Sequence, residues 1–235
     1  MAGDDRKLPA QMKRAEVDDF LRQIAAAPVP ARSGTMGRLI FALDATASRQ
    51  PTWDRASHIQ AEMFAEAAAL GGLAIQMCYF RSFAEFHAAP WLADGHELIR
   101  RMTAVTCLSG TTQIARVLRH AAAEAAKSRV NAIVYVGDAM EESPESLAEL
   151  AGQLGLLGVP AFVFQEGDEP VARRAFQQIA QLTGGAYMRF DASSAKTLSD
   201  LLKAVAVYAA GGRTALADYA RRAGGDVLRL TRQLR

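Results

Sequence analysis

The stretch "RLIFALDATASR", Arg38 to Arg49, decides the fold. From Arg38 to Leu43 it is a short, nearly continuous apolar run, the pattern of a strand covered on both faces. It closes on Asp44, and Thr46 and Ser48 follow at two-residue spacing. One carboxylate and two hydroxyls are thereby gathered in the loop at a strand's end, where backbone and side-chain oxygens can converge on a cation.

Similar runs recur at "LAIQMCYF" (73–80), "NAIVYVGD" (131–138) and "VPAFVFQ" (159–165), with a weaker one at "GAYMRF" (185–190). Helical patterns lie between them: Trp53 to Leu70, Leu98 to Thr106, Ile114 to Lys127, Ser143 to Leu157, Ala172 to Leu182 and Ala195 to Ala210. Strands apolar on both faces and alternating with helices predict an α/β, doubly wound fold with a mostly parallel central sheet and helices on both faces. The segment "SFAEFHAAPW" (82–91) is too short for a crossover helix. It is expected to form an antiparallel edge strand, ended by Pro90.

Around this core, residues 1–37 read as an N-terminal helical arm and linker. Val17, Phe20, Leu21 and Ile24 share one helical face before "PVPARSGTMG" breaks the pattern. Residues 38–211 form the core, and residues 212–235 a basic helical tail. From Arg213 onward six Arg stand against two Asp, with Leu216, Tyr219, Ala220 and Ala223 on one stripe. A chain of 235 residues, half of them hydrophobic and 22% charged, is globular rather than disordered. A net charge of +2 excludes a whole-surface attraction to nucleic acid or lipid. The polar N-terminus lacks a signal-peptide apolar stretch, and no apolar run reaches membrane-spanning length, so a cytoplasmic location is expected. Abundant Ala and an excess of Arg over Lys point to a GC-rich bacterial genome.

The two cysteines, Cys78 and Cys107, lack zinc-site spacing and are expected to be reduced thiols. His58, His87, His96 and His120 are scattered at no metal-ligand spacing and are expected at the surface or its boundary. Trp53 and Trp91 read as packing residues. Glu141 and Glu142 read as the acidic start of the helix from Ser143, with a smaller role at a ligand rim.

In an open parallel sheet, ligands gather at the carboxyl ends of strands. There this sequence places Asp44, Thr46 and Ser48, then Asp138 of "YVGDAMEES", and, before a helix, Ser109, Thr111 and Thr112 of "CLSGTTQIARVL". Taken singly, Thr46 and Ser48 also suit a turn, Thr112 an N-cap, and the two aspartates turn positions. Taken together they are an all-oxygen set that suits Mg²⁺, Mn²⁺ or Ca²⁺ rather than zinc. With only two carboxylates, which can act through water, a bound cation keeps Lewis acidity for an incoming anionic ligand.

The order Asp-x-Thr-x-Ser, then Gly-Thr-Thr-Gln-Ile opening a helix, then apolar strand-Gly-Asp, resembles the von Willebrand factor A-type (vWA) domain and its metal-ion-dependent adhesion site (MIDAS). The resemblance runs from about Arg38 to Ala210. It includes "GVPAFVFQEGD" as a fifth strand and "LTGGAYMRFDASSAKTLSDLL" as a sixth strand and last helix. It implies a Rossmann-like fold in which Asp44, Thr46, Ser48, Thr112 and Asp138 bind a divalent cation. Thr46 stands where the motif's first serine is expected, Thr111 where glycine is common, and Ala139 where glycine is usual. Thr111 leaves the choice between Thr111 and Thr112 open.

The expected function is that of a non-enzymatic, intracellular protein-binding module whose divalent cation captures an exposed Asp or Glu on a partner protein. The resemblance implies a place in a multiprotein assembly, with a MoxR-type AAA+ ATPase or another subunit as partner. An alternative is a metal-dependent phosphoryl-transfer or hydrolytic enzyme. Against it, Thr46 stands where an aspartate-nucleophile phosphatase needs its second Asp, and neither GxxxxGK[ST] nor GxSxG is present. A third reading makes the basic tail an RNA contact.

Overall fold

The computed structural model describes residues 14–28, 36–50, 73–191 and 195–223. The expected helix from Trp53 to Leu70, with His58, lies outside the described residues, as does the tail beyond Ala223. Five strands run parallel: β1 (Gly37–Asp44), β2 (Leu73–Arg81), β4 (Ala132–Gly137), β5 (Ala161–Glu166) and β6 (Ala186–Phe190). The edge strand β3 (Glu85–Ala88) pairs antiparallel with β2, as expected of a segment too short for a crossover helix, and ends before Pro90.

The sheet order is β3-β2-β1-β4-β5-β6. The chain winds outward from β1 to one edge, then returns to β1's other side and winds to the opposite edge. The reversal falls between β1 and β4, so their carboxyl ends flank the crevice where a doubly wound sheet binds ligands. Asp44 ends β1 and Asp138 follows β4.

Period-two alternation sorts each strand between two cores. Leu39, Phe41 and Leu43 join Val134, Val136, Phe162 and Phe164 on one face. That face is covered by α1 (Arg14–Ala26), α2 (Gly95–Thr103) and α6 (Ala195–Ala223). Ile40 and Ala42 join Ile133, Tyr135 and Val163 on the other, under α3 (Ile114–Lys127), α4 (Pro144–Leu156) and α5 (Pro170–Thr183). The N-terminal arm belongs to the first core: Phe20, Leu21 and Ile24 are buried, and Phe20 packs on Phe162 and Phe164. Each such side chain contributes about 1.5–3 kcal/mol. α6 runs past the expected end at Ala210, with a backbone break at Gly212 (φ 64), and Leu216 beyond the break is buried in the same core.

Helix starts follow local capping chemistry, which moves some of them from where periodicity put them. α2 begins three residues before Leu98, because the Asp94 carboxylate accepts from the His96 N–H (2.9 Å). α4 starts at Pro144, after Ser143 whose hydroxyl accepts from the Ser146 N–H (3.3 Å). Glu141 and Glu142 therefore do not open α4; they reach a different helix. Cys78 and Cys107 are both free and buried.

Candidate metal centre

Asp44 is fully buried at the end of β1. Its Oδ1 accepts from the Thr46 N–H (2.8 Å), which turns the chain tightly over the strand end. The turn brings the Thr46 and Ser48 hydroxyls within 3.1 Å of each other. Leu108 closes the turn from the other side, its N–H donating to the Ala45 carbonyl (3.1 Å). Burial pushes the Asp44 carboxyl up to about 6; the Thr46 hydrogen bonds oppose this, the Asp138 charge adds to it, and Arg49 opposes it.

Arg49, at the end of the short 3₁₀ turn Ala47–Arg49, is almost wholly enclosed. Its Nη1 donates to the carbonyls of Asp44 (3.3 Å) and Val136 (3.2 Å). Its Nε and Nη2 meet Glu166 at 3.1 and 3.0 Å. One guanidinium thus ties the carboxyl ends of β1, β4 and β5 together beneath the crevice.

Thr111 and Thr112 part company at the start of α3. Thr111 is exposed, whereas Thr112 is buried and faces the β4–α4 loop. Thr112 N–H donates to Glu141 Oε2, and its Oγ1 accepts from the Glu141 N–H, both at 3.1 Å. The Gln113 side chain makes no cap to α3, and Glu142 takes that role, accepting from the N–H groups of Ile114 and Ala115 (2.9 Å for the latter). Burial raises the Glu142 carboxyl, against the stabilising hydrogen bonds from Ala115, Ile114 and Thr112. The two glutamates, expected to serve α4, instead clamp the loop bearing Asp138 to Thr112 and to the first residues of α3 that follow it.

Asp138 stands half-buried after β4, beside the crevice. Its Oδ1 and Asp44 Oδ2 are both shielded from solvent and find no hydrogen-bond partner among the described residues. Such oxygens are costly unless something compensates them. Two orphaned carboxylate oxygens with threonine and serine hydroxyls nearby fit a hard divalent cation. Among the described residues no group of three or more His, Cys, Asp and Glu converges, so soft or carboxylate-rich metal sites have no counterpart.

The site as read from sequence is thus brought together in part. Asp44, Thr46 and Ser48 form one cluster, the Asp138 charge acts on Asp44, and Thr112 is held at the rim through Glu141 and Glu142. Sequence reading missed Arg49, the capping role of Glu142, and Tyr135, whose buried hydroxyl also finds no hydrogen-bond partner among the described residues. The one local signal for Tyr135 was Gly137 two residues on, a gap on the same strand face.

Comparison with solved structures settles the architecture. A von Willebrand factor type A structure from Catenulispora acidiphila superposes with a TM-score of 0.58 at 15% identity, over 74% of this chain and 43% of that one. The fold is vWA-like. The SpRpn10 VWA domain matches at TM-score 0.57 and 12% identity, over 72% of this chain and 94% of that one. An aerotolerance-related membrane protein from Bacteroides fragilis matches at 0.56 and 17%, over 71% and 98%. No protein-family model and no curated protein sequence matches the chain. Among the described residues, no helix is long and apolar enough to cross a membrane.

Proposed function

We propose that this vWA-like protein is a binding module in which Asp44, Thr46, Ser48, Thr112 and Asp138 hold a divalent cation, Mg²⁺, Mn²⁺ or Ca²⁺, that captures an Asp or Glu side chain of a partner protein. The observation that carries the reading is the pair of buried, unpartnered oxygens, Asp44 Oδ2 and Asp138 Oδ1, at the switch point of the sheet. Two carboxylates leave a divalent ion able to accept a further anionic oxygen, and the hydroxyl ligands add none of the charge that would close it. Binding rather than turnover is favoured because the Thr46 and Ser48 hydroxyls bond each other rather than a base. A subunit of a multiprotein assembly, with a MoxR-type AAA+ ATPase as one candidate, fits this use.

Calorimetric titration of Mg²⁺, Mn²⁺ and Ca²⁺ into chelator-treated protein tests the reading. Saturable binding is expected in the wild type and a loss of at least about 100-fold in Asp44→Ala, a first-sphere ligand being removed. Equal heats from the two proteins would defeat it.

A further inference from the structure

Tyr135 is a buried side chain that the expected ligand set leaves out. Its ring lies in the core beneath α3, α4 and α5, stacked on Phe80 and edge-on to Phe176 at centroid distances of 6.4 and 5.4 Å. In the β1–β4 register Ala42 pairs with Tyr135 and Leu43 with Val136, which brings Asp44 level with Gly137. Asp44 is therefore two residues beyond Tyr135's partner, on the same face of the sheet.

Gly137 leaves that face open, and the phenol extends over it: a Cβ at Gly137 would stand 2.4 Å from the Tyr135 hydroxyl oxygen. The hydroxyl thus points along β4 toward its carboxyl end. It is buried and, among the described residues, has no hydrogen-bond partner, like Asp44 Oδ2 and Asp138 Oδ1. The charges that act on it are those of Asp44, Glu142, Arg49 and Asp138, the residues of the crevice. Each of the three oxygens is unfavourable alone, but together they are one donor and two acceptors.

We propose that Tyr135 is a positioning residue of the cation site, whose hydroxyl donates its proton in a hydrogen bond to the Asp44 and Asp138 carboxylate pair and so fixes the oxygens that face the cation. The inference rests on the cation reading given above. A phenol is a neutral donor at ordinary pH, so it can hold a carboxylate without adding charge to the site. A third carboxylate in its place would carry a site of one divalent cation and two carboxylates past formal neutrality and repel a partner's acid. The phenol orients the ligands and adds no charge.

Tyr135→Phe removes the hydroxyl and keeps both ring contacts. Three measurements on it are decisive: Mn²⁺ affinity by calorimetry, melting of the chelator-treated protein, and the near-ultraviolet difference spectrum on Mn²⁺ addition. The variant is expected to bind Mn²⁺ about tenfold more weakly, as when a group that orients a metal ligand is lost. It should melt no lower than the wild type without metal, and lack a phenol difference band that the wild type shows. Equal affinity in the two proteins, or an unchanged difference spectrum, would overturn the inference and leave the cation reading standing. A weaker affinity matched by a lower melting temperature without metal would also overturn it, since the hydroxyl would then serve packing. Absence of Mn²⁺ binding by the wild type itself would remove both readings.

Discussion

The two ends of the sheet each bury a carboxylate, and they treat it in opposite ways. At the amino end, Glu124 of α3 accepts from Trp91 Nε1 (2.7 Å), Arg38 Nη2 (3.0 Å) and Lys127 Nζ (2.7 Å), while the Arg38 guanidinium lies 3.8 Å from the Trp91 ring centroid. The Lys127 bond foremost, and the Trp91 bond after it, hold the Glu124 carboxyl below its ordinary value despite its burial. At the carboxyl end, Asp44 has one oxygen bonded to its own turn and one without a partner, and burial pushes it up. A carboxylate whose lone pairs are satisfied by the protein staples β1, α3 and the segment after β3. One left incomplete in a crevice lined by hydroxyls keeps the cost of its burial unmet by the described residues.

The largest expected break in this contrast comes from charge at Asp44. A carboxyl raised from 3.8 to about 6 stabilises the fold below pH 3.8, and the contribution is lost as pH rises through 6. In chelator-treated protein, Asp44→Asn should therefore be more stable than the wild type by up to about 3 kcal/mol near pH 8, from roughly two pKa units. The difference should vanish near pH 4, and saturating Mg²⁺ should reverse it at pH 8 by stabilising the wild type alone. Urea unfolding of the two proteins across that range measures it. A pH-independent difference would mean that Asp44 is not strained by its burial.

At the other end the sign is reversed. The lowered Glu124 carboxyl contributes stability above 4.5, its ordinary value, and loses it as pH falls through the lowered one. Glu124→Gln should cost about 2 kcal/mol near pH 7, the worth of hydrogen bonds to a charged group, because Lys127 and Arg38 lose their counter-charge. Cation affinity should not change, since the residue belongs to the opposite end of the sheet. A Glu124→Gln protein that unfolds at the wild-type urea midpoint would show that its three bonds merely offset its desolvation.

How much of this was legible in the sequence follows from how local each cause is. Parallel strands declare themselves as apolar runs, so "RLIFALD" and its four companions fell where expected, and the shortness of the segment before Pro90 located the edge strand β3. Helix starts were less legible where a cap preceded the apolar period, as Asp94 precedes Leu98. Asp44, Thr46 and Ser48 stand within five residues and can be read as a cluster. The site's supports cannot, because they act over long separations: Arg49 reaches Val136, 87 residues on, and Glu166, 117 residues on. Glu142 was read as serving the helix that follows it, but its acceptors were needed 27 and 28 residues earlier, where Gln113 leaves the first N–H groups of α3 without a side-chain cap. Trp91, read as packing, also donates to Glu124 through its indole N–H.

The smallest expected effect sharpens the contrast at the carboxyl end. Glu142 satisfies two N–H groups of α3, so it has partners, as Glu124 has, yet it belongs to the crevice. Glu142→Gln keeps an acceptor oxygen but removes the charge that favours a helix N-terminus, a loss of about 1 kcal/mol or less. If its purpose is the capping of α3, stability should fall by that amount and cation affinity stay as it was. If it also fixes Thr112 as a ligand, Mg²⁺ affinity should drop several-fold with it, while Glu141→Gln, which leaves the backbone bond from the Glu141 N–H to Thr112 Oγ1 intact, should drop it less. We expect the second pattern, because Glu142 ties the N–H groups of Ile114 and Ala115, just after Thr112, to the loop that bears Asp138. Parallel titrations of the two variants decide between a loop held together for the fold and one held together for the ion.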